Sequence, residues 1–247
     1  MQLQRFITIF ATIITYLSVS AQKDPATTEI WKPEPTVVTP GKTNTDAPSD
    51  AIILFDGKSG SNWKHKNGDD AKWTVADNTF TVKPGTGDIQ SKQKFGDCQL
   101  HIEWRIASNV TGDGQNRGNS GIFLMGRYEL QVLDNYNNIN KTYVNGQAGS
   151  MYKQSPPLVN VCKAPGEWQT YDIIFTAPRF SEKGNVIEPA RITVIQNGVL
   201  VQNNTTLWGN TLYIGSPFYE KHDAKESLTI QDHGNTTSFR NIWIREL

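Results

Sequence analysis

The sequence predicts an all-β protein, a sandwich or barrel of short antiparallel strands. Three observations carry that reading. The stretch CQLHIEWRI (98–106) alternates strictly. Leu100, Ile102, Trp104 and Ile106 fall on one side and His101, Glu103 and Arg105 on the other, the period-two signature of a half-buried strand. Asn197-Gly198 stands between the apolar runs ARITVIQ (190–196) and VLVQ (199–202). That dipeptide supplies the positive backbone angles a tight hairpin needs. No segment holds a helical period over a dozen residues, and many short strands with Gly- and Asn-rich turns make a sandwich or barrel.

Taken in order, the chain opens with MQLQRFITIFATIITYLSVSA (1–21). Arg5 precedes an apolar stretch, and Val19-Ser20-Ala21 offers a cleavage site before Gln22. This is the pattern of a secretory signal peptide, too short and too poorly flanked for a membrane anchor. No Cys lies near the cleavage point, so no bacterial lipid anchor is expected. The protein is therefore expected to be periplasmic or secreted, and no other stretch is apolar enough to span a bilayer. Residues 22–49 hold five of the 12 prolines and read as an extended arm, with Trp31, Val37 and Val38 apolar enough to dock.

From residue 50 to 247 the pattern is β throughout, one domain. AIILF (51–55) is closed by Asp56-Gly57. KWTV (72–75) and TFTV (79–82) flank the turn Ala76-Asp77-Asn78. After the 98–106 strand, SGIFLM (120–125) leads through Gly126 into RYELQVL (127–133). YDIIFTA (171–177), the Asn-Gly hairpin, LTIQDHG (228–234) and FRNIWIREL (239–247) complete the set. Two long polar loops, 108–119 and 134–149, flank the YELQVLD segment, and loops of that length in a compact domain are usually functional or disordered.

Composition narrows the partners. The 247 residues carry 24 basic and 24 acidic side chains, a formal net charge of zero, with no basic block. This excludes nucleic acid and anionic membrane surfaces as the main partner. Cys98 and Cys162 could pair in an oxidising compartment or stay as buried thiols, and the sequence leaves both open. His65, His101, His222 and His233 show no paired ligand spacing, so neither catalytic zinc nor any other cofactor is expected; calcium on loop oxygens stays open. Gly-x-Ser-x-Gly and phosphate-cradling glycine loops are absent.

Four polar groups stand out: His101/Glu103/Arg105, Arg127/Glu129/Gln131, Gln231/Asp232/His233 before Gly234, and Tyr152/Lys153 after the second long loop. Each alone reads as a solvated strand face with modest Arg–Glu pairing. Two rows of the same Glu–Arg composition beside long loops suggest one concave polar face, the kind that binds sugars. On that reading Glu103, Arg105, Glu129 and Gln131 share a face, while Trp104, Leu130 and Val132 lie in the core. Glu129 and Asp134 are on opposite faces of a regular strand. They form a glycosidase pair only across a bulge or with Asp134 past the strand end.

The motifs LFDGKSGSNWK (54–64), KFGDCQLHIEWRI (94–106), GNSGIFLMGRYELQVLD (118–134), GSMY (149–152), PGEWQTYDIIFTAPRF (165–180), QNGV (196–199) and IQDHGNTTSFRNIWIREL (230–247) occur in this order. Together they resemble the 3-keto-disaccharide (3-keto-glycoside) hydrolase family. Cys98 departs from an aromatic in that pattern. The resemblance implies a concanavalin A-like jelly roll of two curved antiparallel sheets, acting on glycosides already oxidised at C3. A 3-keto group acidifies the hydrogen at C2; a base removes it, the C1–O bond breaks by β-elimination, and water adds. The resemblance implies Glu129 as base or acid, with Asp232 and His233 as a second acid–base pair or enolate contact. It implies substrate contacts from Glu103, Arg105, Arg127, Gln131, Asn119, Trp63 and Tyr152, to which Lys153 and Gln231 are added from the polar groups. Two alternatives stand beside it, a non-catalytic carbohydrate-binding module and an ordinary two-carboxylate glycosidase.

Cleavage before Gln22 is expected in exported protein. Intact-mass measurement checks this, and retention of Met1 would overturn it.

Overall fold

The computed structural model describes residues 25–247, so the expected signal peptide, 1–21, lies outside the described residues. Two units separate, up to Val37 and from Val38 to Leu247. The described part of the first is a 3₁₀ turn (Pro25–Thr28) followed by extended chain, with Trp31 and Val37 exposed.

The second unit holds fifteen strands. In chain order they are β1 (Ile52–Phe55), β2 (Trp63–His65), β3 (Thr74–Ala76), β4 (Thr79–Thr81), β5 (Ile89–Phe95), β6 (Cys98–Ile106), β7 (Ser120–Leu124) and β8 (Tyr128–Val132). They continue with β9 (Gln169–Thr176), β10 (Arg179–Phe180), β11 (Val186–Glu188), β12 (Arg191–Gln196), β13 (Val199–Thr206), β14 (Glu226–Ile230) and β15 (Thr237–Glu246). The larger sheet runs β13-β12-β9-β6-β15-β4-β3, with β1 also on β15; the smaller runs β2-β5-β14-β7-β8; β10 and β11 form a separate hairpin. Every pairing is antiparallel, and helix among the described residues is confined to short 3₁₀ turns. The fold is an all-β jelly-roll sandwich. No helix among the described residues is long and apolar enough to cross a membrane.

The turns follow from their residues. Asn197 and Gly198 take φ of 52° and 82° between β12 and β13, and Asp77 and Asn78 take 50° and 58° between β3 and β4. These are the left-handed positions a two-residue hairpin demands, and Asn, Asp and Gly reach them at least cost.

The core lies between the sheets. Leu100, Ile102, Trp104 and Ile106 of β6 meet Tyr128, Leu130 and Val132 of β8, as strand parity requires. Tyr128 packs 5.7 Å from Phe175 across the gap, and the Tyr171 hydroxyl donates to the Gln131 carbonyl at 2.8 Å. An aromatic corner closes one end, with Phe55 stacked 5.1 Å from Phe80 and Trp63 edge-on at 6.3 Å. Trp63 is 0% exposed, and its indole N–H is bound to the Leu54 carbonyl at 2.9 Å. It is a core residue, not the sugar contact expected from the sequence. Cys98 and Cys162 are unpaired thiols.

The shared polar face is also corrected. Glu103 and Arg105 stand on the outer face of the larger sheet, whereas Glu129 and Gln131 stand on the outer face of the smaller one. Parity fixes which side of its own sheet a residue takes; it does not say which sheet the strand joins. The first row is filled by neighbours. Glu103 takes Arg240 at 2.6 Å and Asn241 at 3.0 Å, His101 pairs with Asp172 at 2.6 Å, and Arg105 lies 4.5 Å over Trp168. The second half of the arm lies against this face, where the Thr45 carbonyl accepts from Asn241 and Trp243.

Candidate active site

The site grows from β8, the last strand of the smaller sheet. An edge strand leaves backbone groups unpaired, and here loops cover them. The GSMY segment pairs along it, with Gln131 N–H donating to the Ser150 carbonyl and Tyr152 N–H to the Glu129 carbonyl, each at 3.0 Å. The Glu129 N–H donates to the Thr211 hydroxyl, also at 3.0 Å. The two long polar loops hold each other: Gln115 donates to Thr142 at 2.8 Å and Asn140 to the Gly114 carbonyl at 3.0 Å.

On the outward face, Glu129 stands beside Phe123, and Gln131 beside Gly121. With Asn119, Tyr152, Thr211, Tyr213, Gln231 and His233 they line a cavity of about 260 Å³. That is below the roughly 300–1,000 Å³ of drug-sized pockets and suits a single small ring. Gly121 is needed here: a Cβ on it would sit 2.5 Å from the Glu129 Oε1 and 2.8 Å from the Phe123 ring.

Glu129 is 5% exposed, and no donor among the described residues reaches its carboxyl. Burial pushes it up to about 8, and the nearby Asp88 carboxylate adds to the shift. Two further groups lack partners. The Gln131 amide donates to Asn119 at 3.0 Å and to the Val132 carbonyl at 3.2 Å, but its Oε1 is buried and unsatisfied, as is the Gln231 Oε1. Buried acceptors are nearly always bonded, so two orphans in one cavity call for hydroxyl donors.

The other expected residues are placed as follows. Tyr152 lines the cavity, its hydroxyl 2.6 Å from that of Tyr143. Lys153 stands at the rim, its Nζ 2.5 Å from the Tyr213 carbonyl and 4.4 Å from the Tyr213 ring centre. Asp232 is outside. Its carboxylate accepts from Gly87 and Gly234, and its N–H donates to Asp88, each at 2.9 Å. It ties two loops together and so fixes His233 rather than facing substrate. Arg127 is outside as well, 3.8 Å from Glu220, and contributes its carbonyl to the Thr211 N–H. Asp134 is bound to Arg117 at 2.7 Å and to the Tyr136 N–H at 3.1 Å, and it does not line the cavity. The Glu129–Asp134 pair of a two-carboxylate glycosidase is therefore not assembled.

Phe123, Thr211, Tyr213 and Tyr143 escaped the sequence reading. Phe123 was accessible: it is the outward aromatic between Ile122 and Leu124. Thr211 and Tyr213 lie in irregular chain, where no period points to them. A larger hollow of about 450 Å³, lined by His65, Lys66, Lys72, Asp88, Gln90 and Thr229 among others, lies along the same face. The row Gln90–Thr229–Phe123–Glu129 joins the two.

The 3-keto-alpha-glucoside-1,2-lyase-like domain model matches residues 50–245. The chain belongs to that family. A crystal structure from Parabacteroides distasonis, provisionally named a glycosyl hydrolase, is 54% identical with a TM-score of 0.86, covering 91% of this chain and 97% of that one. A second from the same organism, named in the same way, is 20% identical with a TM-score of 0.58 over 80% and 94%, and shows the fold alone. No curated protein matches. In this 3-keto-alpha-glucoside-1,2-lyase-like domain, then, the jelly roll carries a buried, unpaired carboxyl in a cavity of ring size.

Two outcomes are expected. Gly121→Ala should leave the sandwich folded, at a cost of about 1–3 kcal/mol in urea unfolding, the usual scale of overpacking. It should displace the Glu129 carboxyl and abolish ligand binding in the cavity; unchanged binding would show that Gly121 is not its floor. The second concerns pH. The folded-state value of about 8 lies above the ordinary 4.5, so the folded state holds the proton more tightly. The resulting stability is complete below about 4.5 and is lost as pH rises through about 8. Wild type should therefore lose more stability than Glu129→Gln between these two values; parallel profiles would contradict the burial of an unpaired carboxyl.

Proposed function

We propose that this carbohydrate-active hydrolase cleaves glycosides already oxidised at C3, with Glu129 as the base that takes the C2 proton. The observation that carries the reading is the Glu129 carboxyl, buried, unpaired and raised to about 8 in a cavity of ring size. A base is most effective when its proton affinity lies near the working pH, and burial does that here.

The residues divide the work. Phe123 and Tyr213 offer flat apolar surfaces to the ring. The free Oε1 atoms of Gln131 and Gln231 accept its hydroxyl protons. Glu129 takes the proton from C2, which the neighbouring ketone has made acidic. His233, held by the Asp232 clasp, donates to the ketone oxygen as it becomes an enolate oxygen. The electron pair then forms the C1=C2 bond as the C1–O bond breaks. Addition of water across C1=C2, with the C2 proton returned by Glu129, completes hydrolysis. The scheme calls on no cofactor from these residues.

The two alternatives fit less well. An ordinary glycosidase requires a second free carboxylate, and Asp134 is committed to Arg117. A binding module gains nothing from an unpaired carboxyl in its binding cavity, where it costs desolvation and weakens the fold. Export of the protein belongs to this proposal too, supported by the start of the sequence.

Matched 3-keto and unoxidised glucosides test the reading. Aglycone should be released from the keto form only. Glu129→Gln should lower kcat by about 100-fold or more with KM little changed, since Gln fills the same space but takes no proton. His233→Asn should also lose rate more than affinity. Equal cleavage of both glucosides would overturn the elimination, and a wild-type rate in Glu129→Gln would make Glu129 a sugar contact only.

A further inference from the structure

Elimination needs an acid as well as a base, because the departing oxygen leaves with an electron pair and must gain a proton. The cavity has no second free carboxyl, and Asp232 is locked in its clasp. A phenol at its wall can supply the proton. The Tyr152 phenol lines the cavity, and its N–H is bonded to the carbonyl of Glu129, so it is fixed to the same backbone as the base.

Tyr152 is not alone. Its hydroxyl lies 2.6 Å from that of Tyr143, and Tyr143 is 40% exposed. The pair thus runs from the cavity toward solvent. The Tyr143 ring is seated over Gly146, where a Cβ would overlap it. The Lys153 ammonium lies 5.6 Å and 5.7 Å from the Tyr143 and Tyr152 ring centres, held on the Tyr213 carbonyl. A cation in that position favours a transient phenolate on either ring.

We propose that Tyr152 is the acid that protonates the departing oxygen, and that Tyr143 refills it from solvent as a two-hydroxyl proton relay. This rests on the keto-glycoside reading. Burial, with the hydrogen bond to Tyr143 second, raises the Tyr152 phenol above its ordinary value, so it enters the reaction protonated.

The protons balance. Glu129 takes the C2 proton, the C2 electrons form C1=C2, and the leaving oxygen takes the Tyr152 proton as the C1–O bond breaks. If water then adds, its hydroxide goes to C1, its proton returns to the Tyr152 phenolate, and Glu129 returns its proton to C2. If the unsaturated sugar leaves first, Tyr143 passes a proton to Tyr152 and draws one from water, while Glu129 releases its own to solvent. The relay therefore serves release of the unsaturated product.

Two variants test this on the full chain with 3-keto-glucosides of 4-nitrophenol and of methanol. A nitrophenolate leaves without help and an alkoxide does not. Tyr152→Phe should lose about 100-fold more kcat on the methyl compound than on the nitrophenyl compound, the scale of one positioned acid. Retained nitrophenyl turnover also shows that the variant is folded. An equal loss on both compounds, or none on either, overturns the acid role. Tyr143→Phe should lower the share of conjugated unsaturated sugar among the products, read by its ultraviolet absorbance; an unchanged share overturns the relay. Wild-type protein inactive on both compounds would instead strike the keto-glycoside reading itself.

Discussion

A buried, unpaired carboxyl group in the wall of a small cavity is the feature around which this site is organised. Charge on Glu129 is costly there, because water is largely gone and no cation replaces it. The fold meets the cost by raising the proton affinity of the group to about 8, so that it takes up and gives up its proton close to neutral pH. Burial is therefore not incidental to the chemistry. The same loss of water that weakens the folded state at high pH would give the proposed base its strength, and on that reading a change that hydrated Glu129 returns stability and removes reactivity together.

Holding such a group still requires a rigid strand, and β8 is an edge. Its backbone is fixed from both directions, by β7 on one side and by the GSMY segment and Thr211 on the other. These contacts use main chain or a short side chain, leaving Glu129 and Gln131 free to face the cavity. The Tyr171 hydroxyl, bonded to the Gln131 carbonyl from the opposite sheet, pins the strand from beneath. The Asp232 clasp does for His233 what these contacts do for Glu129.

Much of this was legible in the sequence. Parity placed Trp104 and Leu130 inward and Glu129 outward correctly, because a strand has only two faces. Asn197-Gly198 and Ala76-Asp77-Asn78 marked real hairpins, because few residues accept positive φ. Sheet membership was not legible, since β6 and β8 have the same alternation and join different sheets. Nor was commitment: Asp232 and Asp134 carry the same group as a reactive acid, but their partners come from Gly87, Asp88 and Arg117, distant or irregular positions that no period reveals. Trp63 was expected as a sugar contact from the LFDGKSGSNWK motif alone, and an aromatic has the same sequence signature inside a core as over a site.

Glu103 and Glu129 separate these influences. Both sit in Glu–Arg rows on alternating strands, both face away from the core, and both are nearly covered. Burial pushes each upward. At Glu103 the nearby His101, 3.7 Å away, and the hydrogen bonds from Asn241 and Arg240 outweigh it and hold the group down to about 2. At Glu129 no such bond exists, Asp88 pushes the same way as burial, and the group rises to about 8. The neighbours decide the sign, and the deeper burial of Glu129 adds to it. Arg105 and Arg240 both lie over Trp168, closing the first row with cations and an aromatic, whereas Arg127 turns away to Glu220 and leaves the second row without one. An arginine that faced Glu129 would make the two rows alike, a carboxylate satisfied and inert. Its absence leaves Glu129 unpaired and raised, which is what the proposed base requires.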